Sequence, residues 1–280
     1  MIIPSNFIPM YKFLRVLKDD VFEVYFDEEE YDRVDTQDDA FDSFVVEQIS
    51  DILSCVTGGK NSSPDIVITD GDWDAIKTDK QMLILPAVGI ENKVVRKNPP
   101  ANLRLASLDY NTTPPTPFMK VMRGGTEGYV EACYLFGILS EKNRDGERRL
   151  ESACLVPGEM LNETMELYNK ITGTRSKEIG LGSYKDLVNR NRPMVVGPNP
   201  LSCEELLGKF TFFHPNSDLF APASDTVRSK WKRIGFMTRK EKNWYCYSTS
   251  DQDSVGELTI HVGKSTTRTS SRGLVEIPIR

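Results

Sequence analysis

The stretch Gly-Ile-Glu-Asn-Lys-Val-Val at residues 89 to 95 decides the fold, together with Pro-Asp-Ile-Val-Ile-Thr at residues 64 to 69. Both stretches are rich in β-branched residues, which favour strands. Side chains alternate between the two faces of a strand, so Glu91 and Lys93 project from one side while the isoleucine and valine beside them turn toward the core. The pattern therefore predicts a sheet with one apolar face and one face that carries an acid and a base.

The acid of the other stretch, Asp65, is expected to begin a neighbouring strand, where its carboxylate meets that of Glu91. Two adjacent carboxylates repel each other unless a cation lies between them. Mg²⁺ prefers hard oxygen ligands and keeps several waters, so the expected shell contains Asp65, Glu91, a backbone carbonyl near Asn92, waters and a phosphate oxygen. Such an ion polarises a phosphate and lowers the pKa of a bound water. Lys93 would orient the attacking water or offset the charge that develops on phosphorus.

The same residues also fit a purely structural interpretation. Asp65 then begins a strand as a turn residue, while Glu91 and Lys93 form an exposed pair of opposite charge on the surface of a sheet. The spacing of the two motifs occurs by chance in many chains, so the choice between these interpretations also depends on the surrounding helices and strands.

Those surrounding elements predict an α/β fold. Apolar residues from 41 to 56 recur at helical spacing and predict an amphipathic helix, which Gly58 and Gly59 end. The order of elements along the chain then predicts a mixed central β-sheet flanked by helices. The predicted strands are residues 66 to 69, 82 to 85, 88 to 95, 134 to 139 and 153 to 156, and residues 161 to 171 form a second predicted helix.

The charge of the chain is unevenly distributed. Of its 41 acidic and 35 basic residues, 19 acidic and 7 basic ones fall in residues 1 to 80, so the remainder is mildly basic despite a formal net charge of −6. A polyanion responds to the local potential of the groove that it enters, so this asymmetry permits DNA binding. An acidic, solvated N-terminal surface explains the first quarter of the chain equally well.

Several other chemistries are not indicated by the sequence. The five cysteines are widely spaced and form no CxxC pair, which predicts reduced thiols and neither a disulfide framework nor a zinc site. We find no signal-like start and no run of about 18 apolar residues, and so expect a cytoplasmic protein without a membrane partner. The two histidines lie in ordinary settings, and the glycine-rich residues 122 to 128 lack the lysine of a phosphate-binding loop. The sequence therefore predicts no catalytic histidine and no nucleotide cofactor.

Basic residues in the second half of the chain are candidates for contacts with DNA. Cations interleaved with Trp231, Phe236 and Trp244 can neutralise phosphates, and an arginine among them can read a guanine edge. A solvated basic helix face, salt bridges to the acidic N-terminal region and an ordinary surface loop explain the same residues. The candidates are Arg190, Arg192, Arg228, Lys230, Arg233, Arg239, Lys264, Arg268 and Arg272.

The motifs Pro64-Asp65 and Glu91-Asn92-Lys93 follow an amphipathic helix and lie in apolar strands, and in this the sequence resembles the PD-(D/E)xK nucleases, most of all the type II restriction endonucleases. The resemblance covers residues 41 to about 140. It implies that Asp65 and Glu91 bind Mg²⁺, for which Mn²⁺ substitutes. It implies that Lys93 assists hydrolysis of a DNA phosphodiester, leaving a 5′ phosphate. Some members carry a further acid on the preceding helix, where Glu47 is the candidate, although helical geometry points it away from the apolar stripe.

The resemblance also implies an organisation and a partner. We expect a single nuclease domain over residues 1 to 280, with a restriction-endonuclease-like catalytic core at about 41 to 172 and a DNA-recognition elaboration at about 185 to 280. The implied partner is double-stranded DNA, cut at a specific sequence by a homodimer in the prokaryotic cytoplasm. Two alternatives stay open: a DNA-repair or junction-resolving nuclease with the same core, and a non-catalytic DNA-binding or protein-interaction domain in which the acids are structural.

Overall fold

The computed structural model describes residues 24–29, 40–57, 63–69, 84–97, 110–112, 115–123, 125–162, 180–181, 193–220, 231–239, 241–248 and 256–259. Among these residues, α1 (Ala40–Ile49) is the α-helix whose first and last residues are both described. The strands are β1 (Tyr25–Phe26), β2 (Ser54–Thr57), β3 (Ile66–Thr69), β4 (Ile84–Arg96), β5 (Tyr110–Thr112), β6 (Phe118–Arg123), β7 (Thr126–Leu139), β8 (Arg148–Pro157), β9 (Gly180–Leu181), β10 (Pro193–Gly197), β11 (Phe210–His214), β12 (Lys232–Arg239) and β13 (Lys242–Ser248).

Ten of these strands form one mixed sheet in the order β12-β13-β11-β8-β7-β4-β3-β2, with β1 beside β8 and β6 beside β7. Strands β2, β3 and β4 are antiparallel neighbours, whereas β4 lies parallel to β7. Strands β7 and β8 are antiparallel, and β8 lies parallel to β11. The other three strands form a second sheet in the order β5-β10-β9. The mixed sheet predicted from the sequence is confirmed.

Each face of the large sheet packs against its own apolar cluster. The first cluster lies on the face that α1 covers, where Phe41 and Phe44 are fully buried. The second cluster lies on the opposite face. Strand β7 contributes to both by alternation, since Leu135 belongs to the first cluster and its neighbours Tyr134 and Phe136 belong to the second. A central strand buried on both faces in this way holds its register firmly.

The helix predicted over residues 41 to 56 ends earlier than expected, so its predicted end is wrong. It stops at Ile49, and the chain then enters β2, where Cys55 and Val56 pair with β3. Ile52, which continues the helical spacing of apolar residues, is 52% exposed and does not belong to the buried face. Strand pairing overrides the helical pattern here because a β-branched residue such as Val56 gains a partner across the sheet.

Where the predicted strands are described, they fall within observed ones. Residues 66 to 69 form β3 as predicted. Residues 84 and 85 of the predicted segment 82 to 85 belong to the same strand, β4, as residues 88 to 95, while residues 82 and 83 lie outside the described residues. Residues 134 to 139 and 153 to 156 lie within the longer strands β7 and β8. Of the second predicted helix, residues 161 and 162 are helical, and the remainder lies outside the described residues.

Helices are sparser in the described part of the chain than the prediction of a flanked sheet implied. Besides α1 there are helical residues at 28 to 29 and 158 to 162 and two 3-10 turns, Pro200–Ser202 and Glu204–Leu206. None of the described helices has the length and apolar character needed to cross a membrane.

A buried ionic cluster fastens the end of β4 to β8. Glu28 accepts hydrogen bonds from Arg96, at the end of β4, and from Arg148, whose Nε lies 2.8 Å from Glu28 Oε2. Arg148 also donates from Nη1 to the backbone carbonyl of Lys97 at 2.8 Å. Burial alone would raise the pKa of Glu28, but the hydrogen bonds and charges of the two arginines outweigh it and leave that pKa lowered. Glu28 is therefore ionised at neutral pH, and all three side chains are paired.

Candidate active site

Asp65, Glu91 and Lys93 come together on one face of the sheet. The antiparallel register that pairs Ile66 of β3 with Ile90 of β4 brings Asp65 beside Glu91. Val67 and Val95 share the face of these three side chains by alternation, and both pack against the second cluster. The site therefore lies on the face opposite α1, as the strand alternation of the sequence required.

Asn92 connects this site to the helix on the other face. Its backbone N–H donates to Asp65 Oδ2 at 2.6 Å, and its side-chain Nδ2 donates to Asp42 Oδ1 of α1 at 2.8 Å. Both Asn92 and Asp42 are buried, with 9% and 3% of their surface exposed. One residue of β4 thus fixes the Asp65 carboxylate and anchors α1 through opposite sides of the strand.

Lys93 lies beside the acidic groups of the site and bonds one of them. Its Nζ donates to Glu91 Oε1 at 2.7 Å and to the backbone carbonyl of Asn92 at 3.0 Å. The two side chains of the pair are mostly buried, with 18% of Lys93 and 13% of Glu91 exposed. The exposed surface pair of the structural interpretation does not describe this geometry, because both charges are largely removed from water.

The acidic groups around Asp65 raise the cost of ionising its carboxyl. Burial, the nearby charge of Glu91 and the charge of Asp42 raise the pKa of Asp65 to about 8, against smaller opposing effects of Lys93 and the Asn92 N–H. Three carboxylates and one ammonium would carry a net charge of −2 if all were ionised. An added divalent cation would neutralise that charge and favour the ionised form of Asp65.

The oxygen atoms of the site are suited to binding a hard cation, and one observation supports this. Glu91 Oε2 is buried and has no hydrogen-bond partner in the described part of the chain, and the same is true of Asn92 Oδ1. A buried carboxylate oxygen without a donor is costly unless an ion or water binds it. The described residues contain no group of three or more His, Cys, Asp or Glu side chains arranged to hold a metal. Mg²⁺ commonly takes one or two carboxylates and completes its shell with water and phosphate.

Gly89 allows Pro64 to position Asp65. A Cβ atom at residue 89 would lie 2.9 Å from Pro64 Cγ and 2.9 Å from a methyl carbon of Val130, closer than real side chains approach. The missing side chain therefore lets the proline ring lie against β4, directly before the acid that the site uses. The glycine and proline of the two sequence motifs have a mutual packing role that the sequence did not reveal.

The helix acid whose charge affects the site is Asp42, which bonds the Asn92 side chain on the α1 face of the sheet, whereas Glu47 was the sequence candidate. Glu47 is exposed, as its helical angle indicated. The signal for Asp42 is present in the sequence, because it shares the helix face of Val45 and Ile49 at spacings of three and seven residues. An acid on the apolar face of a helix is a stronger sign of a buried polar contact than an acid on its solvent face.

The proposed DNA contacts are only partly described. Arg233 and Arg239 lie on β12, which forms an antiparallel hairpin with β13, so the basic segment is a strand pair where a helix face was considered. The Arg233 guanidinium lies 5.5 Å from the centre of the Tyr245 ring. The other candidates, Arg190, Arg192, Arg228, Lys230, Lys264, Arg268 and Arg272, lie outside the described residues.

Comparisons of this chain with protein-family models, with curated proteins and with solved structures give no significant match.

The stability of the metal-free protein is expected to decrease as the pH rises from about 5 to about 8. The folded-state pKa of Asp65, about 8, lies above its usual value of 3.8, so in this window the folded chain holds a proton that the unfolded chain releases. The stability linked to that proton is complete below the unfolded pKa and is lost as the pH passes the folded one. Urea unfolding in EDTA across this range measures the slope, which Asp65→Asn should flatten. An unchanged slope in that variant would show that another group is responsible.

Asp42→Ala is expected to lower the free energy of unfolding by about 1 to 3 kcal/mol, because it leaves the buried Asn92 amide without its acceptor. Urea unfolding at pH 5 is the appropriate measurement, since Asp65 is then protonated and relief of its repulsion by Asp42 does not contribute. Glu47→Ala, an exposed acid on the same helix, is the matched control and should change stability by less than about 0.5 kcal/mol. Equal effects of the two substitutions would remove the Asp42–Asn92 contact from this account.

Proposed function

We propose that this chain is a Mg²⁺-dependent endonuclease that hydrolyses phosphodiester bonds of double-stranded DNA at a specific sequence, in the manner of a type II restriction enzyme. The observation that carries the proposal is the half-buried pair of neighbouring carboxylates, Asp65 and Glu91, with the Lys93 ammonium beside them and one Glu91 oxygen left without a donor among the described residues. The order of helix α1, an antiparallel β2-β3-β4 unit and a parallel β7 supports a restriction-endonuclease-like core.

Asp65 Oδ2 and Glu91 Oε2 would hold the metal, with the Asn92 carbonyl as a further possible oxygen ligand once Lys93 moves from it. The bound ion supplies a Lewis acid for the phosphate and lowers the pKa of a water. The Asn92 N–H keeps the Asp65 carboxylate oriented while the metal is absent. Lys93 exchanges its contact with Glu91 for the phosphate or the attacking water, and so stabilises negative charge that grows on the phosphate oxygens.

The first test of this function is digestion. Purified protein is incubated with a supercoiled plasmid of known sequence and Mg²⁺ or Mn²⁺, and the ends are mapped. Discrete ends at a recurring sequence support the proposal, whereas cleavage confined to branched DNA favours the repair or junction-resolving alternative. Asp65→Asn is the control, since a contaminating nuclease would cut equally well in both preparations.

A second candidate function is a non-catalytic domain that binds DNA or protein. One observation favours it, because Lys93 and Glu91 already pair at 2.7 Å without a metal. Calorimetry with Ca²⁺ or Mn²⁺ separates the two functions. The nuclease requires binding that Asp65→Ala abolishes, while the non-catalytic domain is indifferent to the ion and to the substitution.

A further inference from the structure

We propose that Tyr134 is a positioning residue for the candidate metal site and that its hydroxyl orients the Glu91 carboxylate. This inference rests on the proposed function, because it assigns a role toward the same ion. It concerns a residue on a strand that neither sequence motif includes, separated from Glu91 by more than forty positions in the chain.

The sheet register places Tyr134 next to Glu91. Strands β4 and β7 run parallel, and their register pairs Glu91 with Tyr134, so that the two backbones lie about 4.8 Å apart. Directly paired residues on neighbouring strands project to the same face. Tyr134 belongs to the second cluster, which is the cluster on the face of the candidate site. The ring thus lies beside the carboxylate and not behind the sheet.

Packing leaves the Tyr134 ring little freedom. Only 2% of its surface is exposed, and Phe136 and Ala132 of the same strand face belong to the same cluster. A buried tyrosine ordinarily satisfies its hydroxyl with a polar partner. The polar groups placed next to it by the register are those of the candidate site.

Glu91 has an acceptor that matches this donor. Its Oε1 is bonded to Lys93, while its Oε2 is buried and has no partner among the described residues. The tyrosine hydroxyl is an O–H group that can donate to a carboxylate. Because Oε2 has no partner among the described residues, the hydroxyl does not bond it directly, and donation through one bound water would fix the carboxylate in the orientation that a cation requires.

The expected size of the effect follows from the way metal ligands are supported. Groups that hydrogen-bond to a ligating side chain restrict its rotation, and their removal commonly weakens metal affinity about 10-fold to 100-fold. Tyr134→Phe keeps the ring and its packing and removes only the hydroxyl. We therefore expect Ca²⁺ and Mn²⁺ to bind about tenfold more weakly to Tyr134→Phe than to the parent protein.

The test is calorimetry with Ca²⁺ and Mn²⁺ on the parent, Tyr134→Phe, Glu91→Gln and the double variant. If Tyr134 acts through Glu91, its substitution causes no further loss of affinity in the Glu91→Gln background. A merely structural role would give losses that add. Tyr247→Phe is the matched control, because the Tyr247 hydroxyl donates to the Asn216 carbonyl at 2.7 Å within the first cluster. It should lower the melting temperature and leave metal affinity unchanged.

The outcomes distinguish this inference from the function on which it rests. A parent protein that binds neither ion overturns both. A parent that binds, together with a Tyr134→Phe variant whose affinity lies within about twofold of it, overturns only the role of Tyr134. Additive losses in the double variant overturn the route through Glu91. The inference is supported if Tyr134→Phe lowers metal affinity in the parent protein but not in the Glu91→Gln background, and if Tyr247→Phe leaves metal affinity unchanged.

Discussion

Lys93→Ala is expected to lower the rate of DNA cleavage by about 100-fold to 1,000-fold while leaving DNA binding in Ca²⁺ unchanged. The ammonium lies 2.7 Å from Glu91 and 3.0 Å from the Asn92 carbonyl, within the site but bonded to groups that the metal would recruit. Its charge therefore stabilises the transition state more than the bound ground state, and a loss of this kind appears in the chemical step. Single-turnover cleavage of a labelled duplex that contains the mapped site measures it.

Lys97→Ala is the matched control for this experiment. Lys97 follows the same strand, and its Nζ pairs with Glu151 on β8. It should cleave at close to the parental rate, because it lies beyond the carboxylates. Cleavage by Lys93→Ala at the rate of the Lys97→Ala control would remove Lys93 from the mechanism.

Arg148→Met is expected to lower the free energy of unfolding by about 3 to 5 kcal/mol, the largest stability effect that we predict. Arg148 is 5% exposed and bonds both Glu28 and the Lys97 carbonyl. Its removal leaves the buried Glu28 carboxylate with one of its two arginine partners and leaves that carbonyl without a charged donor. Breaking a buried pair on one side costs more than the pair contributes, because the remaining charge stays out of water.

Urea unfolding at pH 7 tests the stability prediction, with Arg149→Met as the neighbouring control. The Arg149 side chain is exposed and lies with its guanidinium 5.7 Å from the centre of the Tyr25 ring. Such a contact at the surface is worth about 0.5 to 1 kcal/mol. Similar losses in the two variants would contradict the assignment of Glu28 and Arg148 as a buried structural pair.

The face of the candidate site could be predicted from the sequence because strand alternation is a local property. The order Ile-Glu-Asn-Lys-Val at residues 90 to 94 fixes which side chains share a face once a strand is assumed. The nearness of Asp65 to Glu91 followed from the expectation of adjacent strands, and the register of β3 with β4 gives that nearness.

Two residues that were not among the sequence candidates are linked to the site by contacts between distant segments. Asp42 is linked through a hydrogen bond to Asn92, fifty positions away, and Tyr134 lies beside Glu91 through the register of β4 with β7. No local pattern encodes either pairing. The early end of α1 was missed for the same reason, since Val56 leaves a helical pattern to take a partner on β3.

The parallel pairing of β4 with β7 has a consequence for biosynthesis. Residues 97 to 125 separate the two strands, so Glu91 cannot pair with Tyr134 until the later strand has left the ribosome. Parallel pairing of segments so far apart forms slowly, after local hairpins. Both sequence motifs are therefore synthesised before the strand that completes their surroundings, and an activity of the proposed kind would arise only once that distant strand has docked.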